Sequence, residues 1–152
     1  MMSHDHRRAG FTLVELLIVV IILGILAAVV IPRFGSMTEE TKESSIAQAL
    51  RTVRQAIEVY KLQHNEIWPD SDLIDQLTAG TDVDGDTGTD FGPYLRDPWP
   101  VNPLTGTSDV KFKNDMPNDA EGSEAWIYAK NTGDIRCNVD GNAPSGTAWF
   151  DL

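Results

Sequence analysis

The sequence predicts an α+β protein, with a long N-terminal helix packed against a small C-terminal antiparallel β-sheet. Three observations point there. Positions 11–31 hold one ionisable residue in 21, and apolar residues then recur every three or four positions as far as Tyr60. Short alternating stretches appear only after residue 109. Helix first and strands last is the order in which a sheet covers one apolar stripe.

As a helix, 11–31 spans roughly 30 Å at about 1.5 Å per residue, the depth of a bilayer's hydrocarbon core. A secretory signal has a shorter apolar centre followed by a small-residue cleavage site, whereas this run continues to Ile31-Pro32. Arg7 and Arg8 precede it and the acidic excess follows it, which predicts a cytoplasmic N-terminus.

In the next stretch Ile46, Ala49, Leu50, Val53, Ile57 and Tyr60 form one stripe, with Arg51, Arg54, Glu58 and Lys61 between them on a solvated face. Asn65 and Pro69 end the pattern, so one helix from Phe11 to about His64 is expected, interrupted only near Gly24 and Pro32. Asp72–Leu77 reads as a short helical turn and 78–108 as loop. Val110–Phe112 alternates, Ala125–Ala129 and Asp134–Cys137 read as a hairpin about Lys130–Gly133, and a last strand is expected around Ala148–Phe150. Trp126, Tyr128, Ile135 and Trp149 are the predicted core of the sheet.

Twelve basic against 23 acidic residues give a net charge of −11, which repels a phosphate backbone, so nucleic acid is not expected as a partner of the isolated chain. Cys137 is the only cysteine, so no intrachain disulfide framework exists.

Gly10-Phe11-Thr12-Leu13-Val14-Glu15, with basic residues before it and an apolar helix after it, resembles the processing and assembly segment of type IV pilins and of type II secretion pseudopilins. The likeness covers about residues 7–35. A weaker likeness to major pseudopilins extends over 44–69, through ALRTVRQAIEVYKLQHNEIWP, and to the loop DPWPVNP. It implies three parts: a leader, 1–10; a transmembrane assembly helix, 11–32; and an extracytoplasmic pilin-like head, 33–152.

On that resemblance Gly10 ends a leader cut by a prepilin peptidase, and Phe11 becomes a new, N-methylated terminus. Glu15, Gly24 and Pro32 fall at the family's assembly positions. The implied function is a subunit of a helical homo-oligomeric filament built from the inner membrane by an ATPase and a platform protein, alongside minor pseudopilins. The resemblance also implies a head in the periplasm. A lone Cys137 cannot close the C-terminal disulfide loop of many host-binding pilins, which favours the major pseudopilin over a type IV pilin for adhesion, motility or DNA uptake. His4 and His6 fall in the leader, leaving His64 alone, so no histidine triad or histidine metal cluster can form in one chain and no enzyme is expected.

Glu15 has its own physics. A carboxylate deep in a bilayer costs roughly 2.5–3.5 kcal/mol on insertion scales, so it should have a partner. After leader removal the Phe11 amine of a neighbouring subunit is a cation at the same depth. At about 4 Å and an effective dielectric near 20 the attraction is up to about 4 kcal/mol before desolvation. The alternative is a glutamate snorkelling to the headgroups.

Asp82, Asp84, Asp86 and Asp90 fall at positions 1, 3, 5 and 9 of a calcium-loop template, but Thr87 replaces its glycine and Pro93 its bidentate glutamate. Calcium there and a plain acidic surface loop both stay open, and Asp115, Asp119, Glu121 and Asp134 are looser calcium candidates. From a different class, the rival to the filament subunit is a monomeric, signal-anchored domain that binds calcium or another ligand.

Overall fold

In a computed structural model the described residues are 13–96 and 98–152, without the side chains of 24–38. Helix α1 runs Leu13–Gln63 and α2 Leu73–Thr78; strands β1 Val110–Lys113, β2 Trp126–Ala129 and β3 Asp134–Cys137 follow, then a 3₁₀ turn at Trp149–Asp151. The chain divides into two compact units, one ending at Thr38 and the other spanning Glu39–Leu152. The predicted interruptions at Gly24 and Pro32 lie inside α1, which is assigned as one element through both. Among the described residues no helix is long and apolar enough to cross a membrane. Much of the predicted span lies outside the description, at residues 11–12 and the side chains of 24–31.

The second unit closes around the predicted stripe. Ile46, Leu50, Val53, Ile57 and Tyr60 are buried in one cluster with Leu73 and Leu77 of α2 and with Trp126, Tyr128, Ile135 and Cys137 of the sheet. Period-2 alternation explains the sheet's share. Trp126 stands opposite Cys137 and Tyr128 opposite Ile135, so these four side chains leave the same face, joined by Val110 and Phe112. Each such large apolar side chain contributes about 1.5–3 kcal/mol when fully buried. Ile127, Ala129 and Phe150 are buried outside that cluster.

Two expectations about the sheet are corrected. It is mixed rather than antiparallel: β1 pairs parallel with β2, and only β2 and β3 pair antiparallel. The reason is the connection of 114–125, a dozen residues, long enough for the crossover that a parallel pair needs and too long for a tight hairpin. The second correction is at Ala148–Phe150, which forms the 3₁₀ turn and an isolated bridge from Ala148 to Asn142 in place of a strand.

The β2–β3 turn ends at Gly133, with φ at +69° and its backbone against the Trp68 ring. A Cβ there would stand 2.2 Å from Trp68 Cε3, so both the conformation and the space require glycine. Lys61 lies over the other part of this stack, its Nζ 4.0 Å from the Trp68 ring centroid, which ties the end of α1 to the hairpin.

Candidate assembly surface

Over Leu13–Leu23 the apolar side chains leave α1 in every direction and none is covered. Leu13 is 90% exposed, and Val14 and Leu16 to Leu23 each keep about half or more of their surface. A helix that is apolar all round has no stripe to offer a single core; it fits only where every side meets something apolar. Glu15 is the acidic residue of the first turn, where the partial positive charge of a helix N-terminus favours a carboxylate. Gly10 and Phe11 lie outside the described residues, and Gly24 and Pro32 are placed on α1 by backbone alone.

The head's own polar groups are largely spent on holding it together. Arg54, predicted on a solvated face, is instead half-buried: Nε and Nη2 donate to the Ile135 carbonyl at 3.2 and 2.8 Å, and Nη1 donates to Leu152 O at 3.1 Å. Burial holds its pKa below the ordinary value, against the raising charge of Asp134. His64 is buried and stacked on Tyr60 at 3.7 Å between ring centroids. Its Nδ1 lies 2.8 Å from Tyr60 O, and a carbonyl can only accept, so Nδ1 donates there, while Nε2 shares a hydrogen bond with the Thr81 hydroxyl at 3.0 Å. Both ring nitrogens are thereby engaged in hydrogen bonds inside the head.

Around this stack the phenols are held neutral. Burial, followed by the nearby Asp70, Tyr94, Asp82 and Asp86, pushes Tyr60 up to about 12. Burial also raises Tyr128, whose hydroxyl donates to Pro69 O at 2.9 Å. Cys137 is fully buried; burial raises its pKa, against a lowering hydrogen bond from Asn102 Nδ2 at 3.3 Å.

The acidic loop closes on itself. One oxygen of Asp82 accepts the backbone N–H of both Asp84 and Asp86 at 3.0 Å, and Asp82 N–H donates to Asp86 O at 2.9 Å. Among the described residues no group of three or more His, Cys, Asp or Glu side chains is gathered to hold a metal ion. Asp82, Asp84, Asp86 and Asp90 do not form such a group, nor do Asp115, Asp119, Glu121 and Asp134; Asp134 pairs with Arg136 at 2.9 Å. In the loop a short carboxylate serves the turn's own donors.

Sequence reading missed Arg54, His64 and the buried Asn102 as structural anchors. Only Asn102 carried a local signal: an asparagine before proline whose Oδ1 accepts from Leu104 N–H at 2.9 Å, the turn such a residue favours.

A family model described as a prokaryotic N-terminal methylation motif matches residues 5–31. The chain is 40% identical over 129 residues to the type IV major fimbrial protein FimA of Dichelobacter nodosus, a match covering 80% of this chain and 72% of that one. It is 36% identical over 115 residues to the type II secretion system core protein G of Aeromonas hydrophila, covering 70% and 77%. The chain belongs to the type IV pilin-like family. A third relative, the type IV narrow pilus major component PilA5 of Thermus thermophilus, is 35% identical over 83 residues, covering 55% of this pilin-like chain and 71% of its own. No solved structure matches it. As a member of this family the chain is a subunit of a pilus-like filament.

Proposed function

We propose that this pilin-like chain is the major pseudopilin of a type II secretion system. Residues 1–10 are its leader, 11–32 the membrane and assembly helix, and 33–152 the periplasmic head. The observation that carries the reading is the contrast in burial along α1: the head covers its own apolar residues, whereas Leu13–Leu23 stay exposed all round. Such a segment is satisfied by lipid before assembly and by neighbouring helices after it.

Gly10 is the cleavage point, recognised by a prepilin peptidase, and Phe11 the methylated terminus. Glu15 pairs with the Phe11 amine of the next subunit and fixes the register between helices. A subunit slid along its neighbour would lose that pairing. Gly24 and Pro32 soften the helix so that it can bend into the filament; proline removes one backbone hydrogen bond and glycine lowers local helix stability. The work of extraction comes from a cytoplasmic ATPase acting through an inner-membrane platform protein, with minor pseudopilins as companions. Calcium has no assigned role in this reading.

A type IV pilin used for adhesion, motility or DNA uptake is the second reading, favoured by the 40% identity to a fimbrial protein over 80% of this chain. Deleting the gene separates the two: loss of exported proteins from the medium supports the pseudopilin, and loss of surface pili with normal export supports the pilin. Processing is tested by intact-mass analysis of membranes or sheared filaments. The expected mass corresponds to a chain beginning at Phe11 plus one methyl group. A mature terminus beyond Ile31 would exclude a filament subunit and leave a secreted monomer.

A further inference from the structure

Beside α1 runs a groove that the head's own packing leaves open. Two cavities of about 390 and 470 Å³ share Thr52, Tyr94 and Arg96 and together follow α1 from Ser45 to Gln63. Ala49, Val53, Leu95 and Pro98 give the first cavity apolar walls, and Arg96 is the only charged side chain lining either one among the described residues.

That arginine is one of three head cations, with Arg51 and Lys130, outside the ion pairs and carbonyl bonds among the described residues. The chain carries −11, so cations are scarce, and most of those in the head are already engaged. Lys42, Lys61, Lys111, Lys113 and Arg136 sit in ion pairs and Arg54 on carbonyl oxygens. Arg96 is exposed and holds no such partner among the described residues. A trough with apolar walls at one end, polar side chains along the rest and one exposed guanidinium suits a segment that is acidic with an apolar tip, because a guanidinium binds carboxylates by paired, charge-assisted hydrogen bonds.

The chain itself displays that segment. Asp82-Val83-Asp84-Gly85-Asp86 has three carboxylates around Val83, which is 42% exposed. The loop is already fixed by the two bonds to Asp82 Oδ1, so little conformational entropy is lost when it docks. Within one head it lies by the Tyr60 hydroxyl, against which a Cβ on Gly85 would clash at 2.3 Å. The seat at Ala49 and Val53 is 11 and 7 residues from Tyr60, or about 16 and 10 Å along a helix. Knob and socket are thus different patches of one chain, displaced along α1. Such a heterologous contact joins copies head to tail and, if the rotation does not close, propagates as a helix. We propose that the groove lined by Ala49, Val53, Leu95 and Arg96 seats the Asp82–Asp86 loop of a second copy, with Arg96 against its carboxylates. This rests on the filament reading and adds the head contact to it.

The test uses the full chain, assembled in cells with its machinery, and reads sheared filament against membrane-bound subunit. Arg96→Glu and Asp84→Arg each lower filament yield at least tenfold at unchanged membrane abundance, and the double variant recovers at least a third of the wild-type yield. Independently, Ala49→Cys with Val83→Cys in the same chain gives a ladder of disulfide-linked multimers when intact filaments are oxidised. Wild-type yield from Arg96→Glu would overturn the groove contact. Loss of filaments in Arg96→Glu without rescue by Asp84→Arg and without the cysteine ladder would assign the groove to a different acidic partner and also overturn it. If the wild-type chain forms no filaments, the filament reading itself falls, and the groove contact with it.

Discussion

Leu13–Leu23 and Ile46–Tyr60 belong to one helix and follow opposite plans. The later stretch spaces its apolar residues by three and four and buries them: Ile46 is 0% exposed and Tyr60 2%. The earlier stretch places them consecutively and leaves Leu17 57% exposed. The backbone is the same, so helix formation does not distinguish them. What differs is where the covering surface comes from, within the chain for one and outside it for the other. Substitutions in the first should therefore change association and leave the head's stability alone, and substitutions in the second should do the reverse.

The sharpest way to break this contrast is Glu15→Leu. It makes the run more apolar and leaves the Gly10-Phe11 junction intact, so insertion and cleavage should persist while filament yield falls at least tenfold. Glu15→Asp, which keeps the charge and shortens its reach, should fall between. Filament yield equal to wild type from Glu15→Leu, measured against membrane-bound subunit, would mean that the carboxylate only snorkels.

Next in size is Gly133→Ala, on the other side of the contrast. The added Cβ meets the Trp68 ring at 2.2 Å and the residue must keep φ at +69°. Strain and overpacking together should cost about 2–4 kcal/mol, read as a lower urea midpoint of the head released by cutting before Phe34. That head should be a soluble monomer, because the segment removed is the one that lacks internal cover. An unchanged midpoint would show that Trp68 can move aside.

A smaller effect sharpens the same division through pH. The Tyr60 phenol titrates at about 12 in the folded head against 10.0 when unfolded. Below pH 10 both states keep the proton and its contribution is complete. Between pH 10 and about 12 the unfolded chain ionises while the folded one does not, so stability falls as pH rises, by about 1.4 kcal/mol per unit for each such tyrosine. Tyr128 is shifted in the same direction and adds to the slope. Melting of the head across this range should show the decline, and Tyr60→Phe should make it shallower.

Local periodicity made much of the fold readable in advance. The stripe from Ile46 to Tyr60, the short α2, and the β2–β3 hairpin with its inward Trp126, Tyr128 and Ile135 depend on neighbours in sequence. What could not be read depends on distant ones. Arg54 looked like any solvated helix arginine because its acceptors, Ile135 O and Leu152 O, lie 81 and 98 residues away. His64 is buried by Thr81 and Phe91, supplied by a loop without periodicity. The parallel pairing of β1 with β2 is decided by a crossover, which leaves no alternation to detect. On the assembly surface the residue types at Gly10, Phe11 and Glu15 were visible at once, whereas the groove by Arg96 arises only when residues 92–96, Pro98 and Pro100 fold against α1.

The buried thiol of Cys137 has a practical use. Oxidants and alkylating reagents react with thiolate, and here the sulfur is fully enclosed, discouraged from ionising by burial, and capped by the amide of Asn102. Reaction must wait until β3 parts from the loop that carries Asn102. The sulfur is thus a stopwatch built into the head: the rate at which a small alkylating probe consumes it in native buffer counts partings of β3 from that loop. Read in free heads and again in heads packed along a filament, it would time how far neighbours slow the molecule's breathing, with no label added and no residue changed.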